Sequence, residues 1–173
     1  MTKTCAIIGC SPMCFPWGFD EEDEGCAALK LILVNRITQL HTQGFVRFAI
    51  AIDCGIGLYA AEIIAGLQGE DPELEMTLYA PCEEQATKWT PELRDRYFAV
   101  HQAAKEIRYA SYEREVGCEF KAYLDAIRSA DLLLAVYDPR DPACEREAAA
   151  VHTAQAMGRG VLPITPPIKG VWK

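Results

Sequence analysis

The chain has 173 residues, the length of one domain, and can bury a sizeable core. Half of it is hydrophobic and 24% is charged, which excludes disordered, collagen-like and low-complexity classes. Acidic residues outnumber basic ones, 25 to 17, for a net charge of −8, and no Lys/Arg run exists, so nucleic acid and anionic membrane surfaces lack electrostatic support as partners.

Taken in chain order, short apolar runs alternate with helical patterns. Thr4 to Gly9 reads as a buried strand closed by glycine. Asp20 and the acidic residues after it cap a helix with Cys26, Leu29, Leu33, Ile37 and Leu40 on one face, and Gly44 ends it. Phe45–Ile52 is a second strand, Gly57–Leu67 a helix, and Met76–Ala80 a third strand stopped by Pro81. Thr90-Pro91 is an N-cap with proline at the first helical position, followed by a Leu93, Tyr97, Val100, Ala104 stripe. Glu106–Tyr109 is a short strand, and Phe120, Leu124 and Ile127 mark a helix. Leu132–Tyr137 is a continuous apolar strand. Asp141-Pro142 opens the last helix, Gly158 ends it, and Val161–Ile164 is the final strand.

Six strands alternating with five helices define an α/β fold: a single Rossmann-like domain over 1–165, its mostly parallel sheet covered by helices on both faces, with a loosely attached tail over 166–173. No segment reaches the roughly 18 apolar residues of a membrane span. Met1–Gly9 is too short for a signal peptide and runs straight into a strand. The expectation is a cytoplasmic chain whose eight cysteines are thiols.

Ligands of such sheets bind beyond the carboxyl ends of the strands. The first loop there, Gly9 to Gly18, carries Ser11 as a donor and Trp17, which either stacks on a ligand ring or packs under the first helix. Asp53-Cys-Gly-Ile-Gly57 offers Gly55 and Gly57 for close approach of a phosphate, unless Asp53 caps the helix itself. The 80–89 loop presents Gln85 and Trp89, the latter readable as a packed ring, and the 137–144 loop presents Asp138. Asp141, Glu145 and Glu147 at the last helix start would repel a phosphate there.

Cys10, Cys14, Cys54, Cys82, Cys118 and Cys144 fall in these edge loops, whereas Cys5 and Cys26 do not. Converging thiolates hold a soft metal, with Cys10, Cys14, Cys54 and Cys82 as the candidates, or form a redox pair; small side chains in tight turns are the alternative. Catalytic signals are few. His41, His101 and His152 lie in helical patterns and read as surface residues. Glu83 and Glu84 are an acid/base pair or a solvated loop start.

Gly9-x-x-Pro12, Pro16-Trp-Gly-Phe-Asp-Glu-Glu-Asp23, Ala61-Glu62, Pro81-Cys-Glu-Glu-Gln85 with Trp89, Arg94-x-Arg-Tyr97 and Ser129-Ala-Asp131 through Asp138 occur in order over about residues 4–165. This set resembles the YpsA/YoqJ-type bacterial family of unknown function in the SLOG superfamily, which also contains the LOG phosphoribohydrolases and the DprA proteins. The resemblance implies a Rossmann-like fold and a nucleotide-derived ligand; among relatives one branch cleaves nucleoside monophosphates at the N-glycosidic bond and another binds single-stranded DNA. The chain departs from that pattern at four places. Thr-Gly-His-Arg-Pro is replaced by Ile8-Gly9-Cys10-Ser11-Pro12, and the acid ending Gly-Met-Ala-x-Gly-Val-Asp is Gly57. Arg-Asn falls on Ala122-Tyr123, and Gly-Gly-Thr near Glu145-Arg146-Glu147.

These losses favour a non-catalytic binder or sensor of a nucleotide-derived small ligand, contacted by Gly9, Ser11, Trp17, Gly55, Gly57, Gln85, Trp89 and Asp138, with no cofactor established. The alternatives are a nucleotide N-glycoside or phosphoester hydrolase using Glu83, Glu84 or Asp138, a cysteine-lined metal or redox site, and an interaction scaffold or homodimer whose ligand site has decayed.

Overall fold

The apolar runs become adjacent strands of one sheet. In the computed structural model, which describes residues 2–166, the strands are β1 (Lys3–Gly9), β2 (Phe45–Ala51), β3 (Glu75–Ala80), β4 (Glu106–Tyr109), β5 (Leu132–Val136) and β6 (Gly160–Ile164). Their order is β4-β3-β2-β1-β5-β6, and every pair is parallel. Central strands β1 and β5 are apolar almost throughout because helices cover both faces. Edge strand β4 is mostly exposed.

The helices are α1 (Glu24–Thr42), α2 (Ile56–Leu67), α3 (Pro91–Ala103), α4 (Cys118–Arg128) and α5 (Glu145–Ala156). Right-handed crossovers place α1, α2 and α3 on one face, where they pack side by side, and α4 with α5 on the other. The predicted α1 stripe, Cys26 through Leu40, is the buried face of that helix. Two helix starts differ from expectation. Asp23 rather than Asp20 caps α1, accepting from Gly25 N–H at 2.8 Å, because Asp20 serves a preceding turn at Glu22 N–H. Asp141 caps a 3-10 turn, Pro142–Cys144, and α5 proper begins at Glu145.

The parallel ladder continues past the strands at the edge that matters. Ile52 N–H donates to Tyr79 O, Cys10 N–H to Val136 O, and Tyr137 N–H to Ile164 O, each at 3.0 Å. At the opposite end Asp131 bridges β1 and β5 by accepting from Thr4 N–H at 3.0 Å while its own N–H donates to Thr4 O. Pro166 is buried, so the chain stays attached at the start of the expected tail; residues 167–173 lie outside the described residues. Among the described residues no helix is long and apolar enough to cross a membrane.

Candidate functional site

The connections from β1 and β5 leave toward opposite faces, which opens the edge between them at the topological switch point. Two depressions lie along this edge. The first, about 80 Å³, is walled by Ser11, Asp53, Tyr79, Gln85, Glu119, Tyr123 and Arg146. The second, about 520 Å³, is lined by Cys10, Cys14, Phe15, Asp138, Arg140, Cys144 and Pro166, among others.

In the first depression Gln85, Asp53 and Tyr123 are each fixed at one end. Gln85, 9% exposed, donates from Nε2 to Ile52 O at 2.7 Å, which fixes the amide; its Oε1 is buried and has no hydrogen-bond partner among the described residues. Asp53 Oδ1 accepts from Gly55 N–H and Gly57 N–H at 2.9 Å each, so two of the free N–H groups at the start of α2 are already satisfied. Burial pushes the Asp53 carboxyl up to about 7 despite those two donors, and the Glu147 charge adds to the rise. Tyr123, from α4, donates its hydroxyl to Gly9 O at 3.0 Å, and burial holds that hydroxyl well above the usual tyrosine range. Behind this wall Glu147 is 3% exposed, with Oε2 unpartnered; burial raises it above the ordinary carboxylate range against the pull of Arg146 and Tyr123.

The second depression is satisfied internally. Asp138 accepts from Arg140 N–H at 2.9 Å and from its guanidinium at 3.2 Å, which holds the carboxyl below its usual range. Asp141 Oδ1 accepts from Ala143 N–H at 2.9 Å. Cys10, Cys14 and Cys144 line the same cleft, and Cys14 Sγ donates to Ala143 O at 3.8 Å. Burial raises all three thiols, Cys14 to about 11 and Cys10 much further, and the Glu147 charge opposes their ionisation too. These are protonated thiols at neutral pH, unlike the depressed thiols of reactive cysteines. Cys54, pushed up to about 12 by burial, and the buried Cys82 do not line this cleft. Among the described residues no group of three or more His, Cys, Asp or Glu side chains is placed to hold a metal ion.

The expected contacts therefore divide. Ser11 and Gln85 meet in the first depression, with Asp53 beside them, and Asp138 lines the second. Trp17 is packed instead: it stacks on Phe15 at 4.9 Å between centroids, under Gly25 at the start of α1. Trp89 packs edge-on against Tyr97 at 5.1 Å. Gly9, Gly55 and Gly57 are packing glycines. A Cβ on Gly9 would enter the Ile56 side chain, one on Gly57 would overlap the Ala51 carbonyl, and one on Gly55 would sit 2.8 Å from Pro12. Of the three histidines only His152 is exposed as expected; His41, half-buried, pairs with Asp71 at 2.7 Å, and His101 lies half-buried on Tyr97. The sequence missed Tyr123, Arg146 and Glu147 as site residues. Their signal was present, because Arg-Asn and Gly-Gly-Thr of the resembled family fall on these segments; it reads there as loss, whereas the structure puts replacement polar groups at the same edge.

A doubly wound all-parallel sheet with its polar groups gathered at the switch point defines a Rossmann-like domain with a carboxyl-edge pocket. The model of the YspA SLOG family (YpsA) matches residues 5–158, and the chain belongs to that family. It is similar to an UPF0398 protein of Bacillus cereus strain G9842, 30% identical over 90% of this chain and 84% of the relative. It is also similar to one of Bacillus licheniformis, 32% identical over 79% and 75%, and one of Bacillus thuringiensis strain Al Hakam, 31% identical over 81% and 77%.

Proposed function

We propose that the chain is a non-catalytic binder of a nucleotide-derived small molecule, taken at the first depression by an uncharged hydrogen-bonding edge rather than by a phosphate. The carrying observation is Gln85 Oε1, a buried acceptor without a partner in a wall whose geometry is fixed by Ile52 O. Such an acceptor is costly unless a ligand donor or an ordered water reaches it. An exocyclic amine or ring N–H of a nucleobase is that kind of donor. Phosphate binding has less support. Asp53 takes the Gly55 and Gly57 N–H groups at the start of α2, Asp141 takes Ala143 N–H in the 3-10 turn, and Glu145 and Glu147 stand in the first turn of α5. Membership of a SLOG family supports a nucleotide-derived ligand class.

The test is calorimetric titration with adenosine, guanosine, cytidine and their 5′-monophosphates, on the parent and on Gln85→Met, which keeps the length of the side chain and loses both its acceptor and its bond to Ile52 O. One nucleoside should bind at least as tightly as its monophosphate, and the variant should weaken it about tenfold. Tighter monophosphate binding that ignores the variant overturns the reading.

A further inference from the structure

The motif residues that the first depression does not use gather elsewhere. Beyond the edge of the sheet, between α3 and the loop from β3, lies a separate cleft of about 470 Å³. Glu83, Arg94, Tyr97, Phe98, His101 and Tyr109 line it, so the Pro81–Gln85 and Arg94-x-Arg-Tyr97 pieces of the sequence both contribute to its wall.

Its floor carries two unanswered polar atoms. Tyr97 is 2% exposed and its hydroxyl has no hydrogen-bond partner among the described residues; His101 Nε2 is also buried without one there. The rings of Tyr97 and His101 lie 4.1 Å apart, and burial lowers the His101 value, so its imidazole is neutral at pH 7. A neutral imidazole and a phenol together can each donate or accept. The side walls are aromatic: Phe98 is 55% exposed and Tyr109 40%. Phe98 stands edge-on to both floor rings, with centroids at 5.8 Å. The rim mixes one cation, Arg94, with the carboxylates Glu83 and Asp95, so neither sign of ligand charge is strongly favoured.

We propose that this cleft is a second binding site, for a small neutral planar aromatic molecule with a hydrogen-bond donor and acceptor side by side on its ring edge. The face of the ring packs against Phe98 and Tyr109, and its polar edge pairs with Tyr97 Oη and His101 Nε2. Buried polar atoms without partners are uncommon because each forfeits its hydration. Two of them on the floor of one aromatic recess form a matched pair of contacts for a ligand of this shape, and exposed aromatic rings supply its stacking surface.

Quinolin-2-one, which carries N–H beside C=O on a flat bicycle, serves as the probe, followed by amide-resolved NMR titration of the full chain. Saturable shifts centred on Tyr97, Phe98 and His101 are expected, with Kd about 1 mM for a ligand of this size. N-methylquinolin-2-one, without the donor, should bind at least fivefold more weakly. Phe98→Ala, which removes a mostly exposed ring and its edge contacts with Tyr97 and His101, should weaken the probe similarly. Tyr97→Phe should also weaken it, and should raise the Tm of the free protein by about 2 °C by deleting an unpaired buried hydroxyl. Gln85→Met should leave the probe's affinity unchanged, which separates this site from the first depression. Absence of saturable shifts at the cleft, equal affinity for the N-methyl analogue, or a lowered Tm in Tyr97→Phe overturns the proposal.

Discussion

The two depressions at the switch point share one sheet edge but hold their polar groups differently. In the first, Gln85, Asp53 and Tyr123 are each anchored to backbone, at Ile52 O, at Gly55 and Gly57 N–H, and at Gly9 O, and the Gln85 acceptor is left over. In the second, larger one, Asp138 is answered by Arg140, Asp141 by Ala143 N–H, and the Cys14 thiol by Ala143 O. Size is therefore a poor guide here: the smaller hollow holds an unspent hydrogen-bonding group on a rigid frame, while the larger is a surface whose groups are already paired. Preorganised and unpaired groups are what a ligand can use.

That difference is broken most severely at the frame of the first depression. Gly57→Ala places a Cβ against the Ala51 carbonyl, at the end of β2 where backbone on both sides is buried. Overpacking against backbone should cost about 3 kcal/mol or more, read as a fall in the urea midpoint or as loss of soluble protein. Asp138→Ala in the second depression removes only a pair with the exposed Arg140 and should leave the midpoint where it is. If Gly57→Ala folds as stably as the parent, the first depression is not framed by the contact that places α2 against β2.

A smaller effect is expected at the ion network behind the loop from β1. Arg96 pairs with Glu21 from that loop and with Glu62 from α2, each partly buried, and Lys30 joins at Glu21. The paired arginine holds Glu21 below its usual range. Arg96→Ala leaves two half-buried carboxylates facing each other and should lower stability by roughly 1–2 kcal/mol. The companion Arg96→Lys keeps the charge but loses the two-fork geometry, and should recover about half.

The third effect depends on pH. Asp53 is protonated in the fold up to about pH 7, whereas its ordinary value is 3.8. Between those values the folded chain binds more protons than the unfolded one, so this group's contribution to stability falls as pH rises from about 4 to 7. Asp53→Asn keeps an oxygen acceptor for the two N–H groups and cannot ionise. Its Tm should match the parent near pH 4.5 and exceed it by several degrees at pH 7.5. Parallel Tm curves would show that Asp53 is ionised throughout, solvated by its two N–H donors.

Much of the fold was legible because its signals are local. The Cys26–Leu40 stripe, the Thr90-Pro91 cap and the apolar run at Leu132 each fix an element by periodicity or backbone chemistry alone. The site was only half legible. Ser11 and Gln85 follow from loop position, but Trp17 and the glycines carry the same sequence appearance whether they touch a ligand or a neighbouring loop; only the contacts of Trp17 with Phe15 and of Gly55 with Pro12 decide. Tyr123 and Glu147 sit inside helical patterns, where period reports which face is buried but not that the Tyr123 hydroxyl reaches Gly9 O or that Glu147 Oε2 lacks a partner among the described residues. Asp23 displaced Asp20 as the α1 cap because any of several adjacent carboxylates satisfies the same rule.

The smallest effect sharpens the account of the second depression as a paired surface rather than a reactive one. Six of the eight cysteines are buried, and Cys14 and Cys54 are partly exposed. Exposure alone would make those two label quickly with an aromatic disulfide reagent, but the reagent needs thiolate. With Cys14 pushed up to about 11 and Cys54 to about 12, the thiolate fraction at pH 8 is on the order of a hundredth of a free thiol's or less. The folded protein should therefore label two thiols slowly at pH 8, Cys14 ahead of Cys54, with rates rising about tenfold per pH unit up to pH 10. The other six should appear only after denaturation. Rapid labelling of Cys10, Cys14 and Cys144 together at pH 7 would mean that the cleft opens and ionises its thiols, and would make the second depression a reactive surface rather than a paired one.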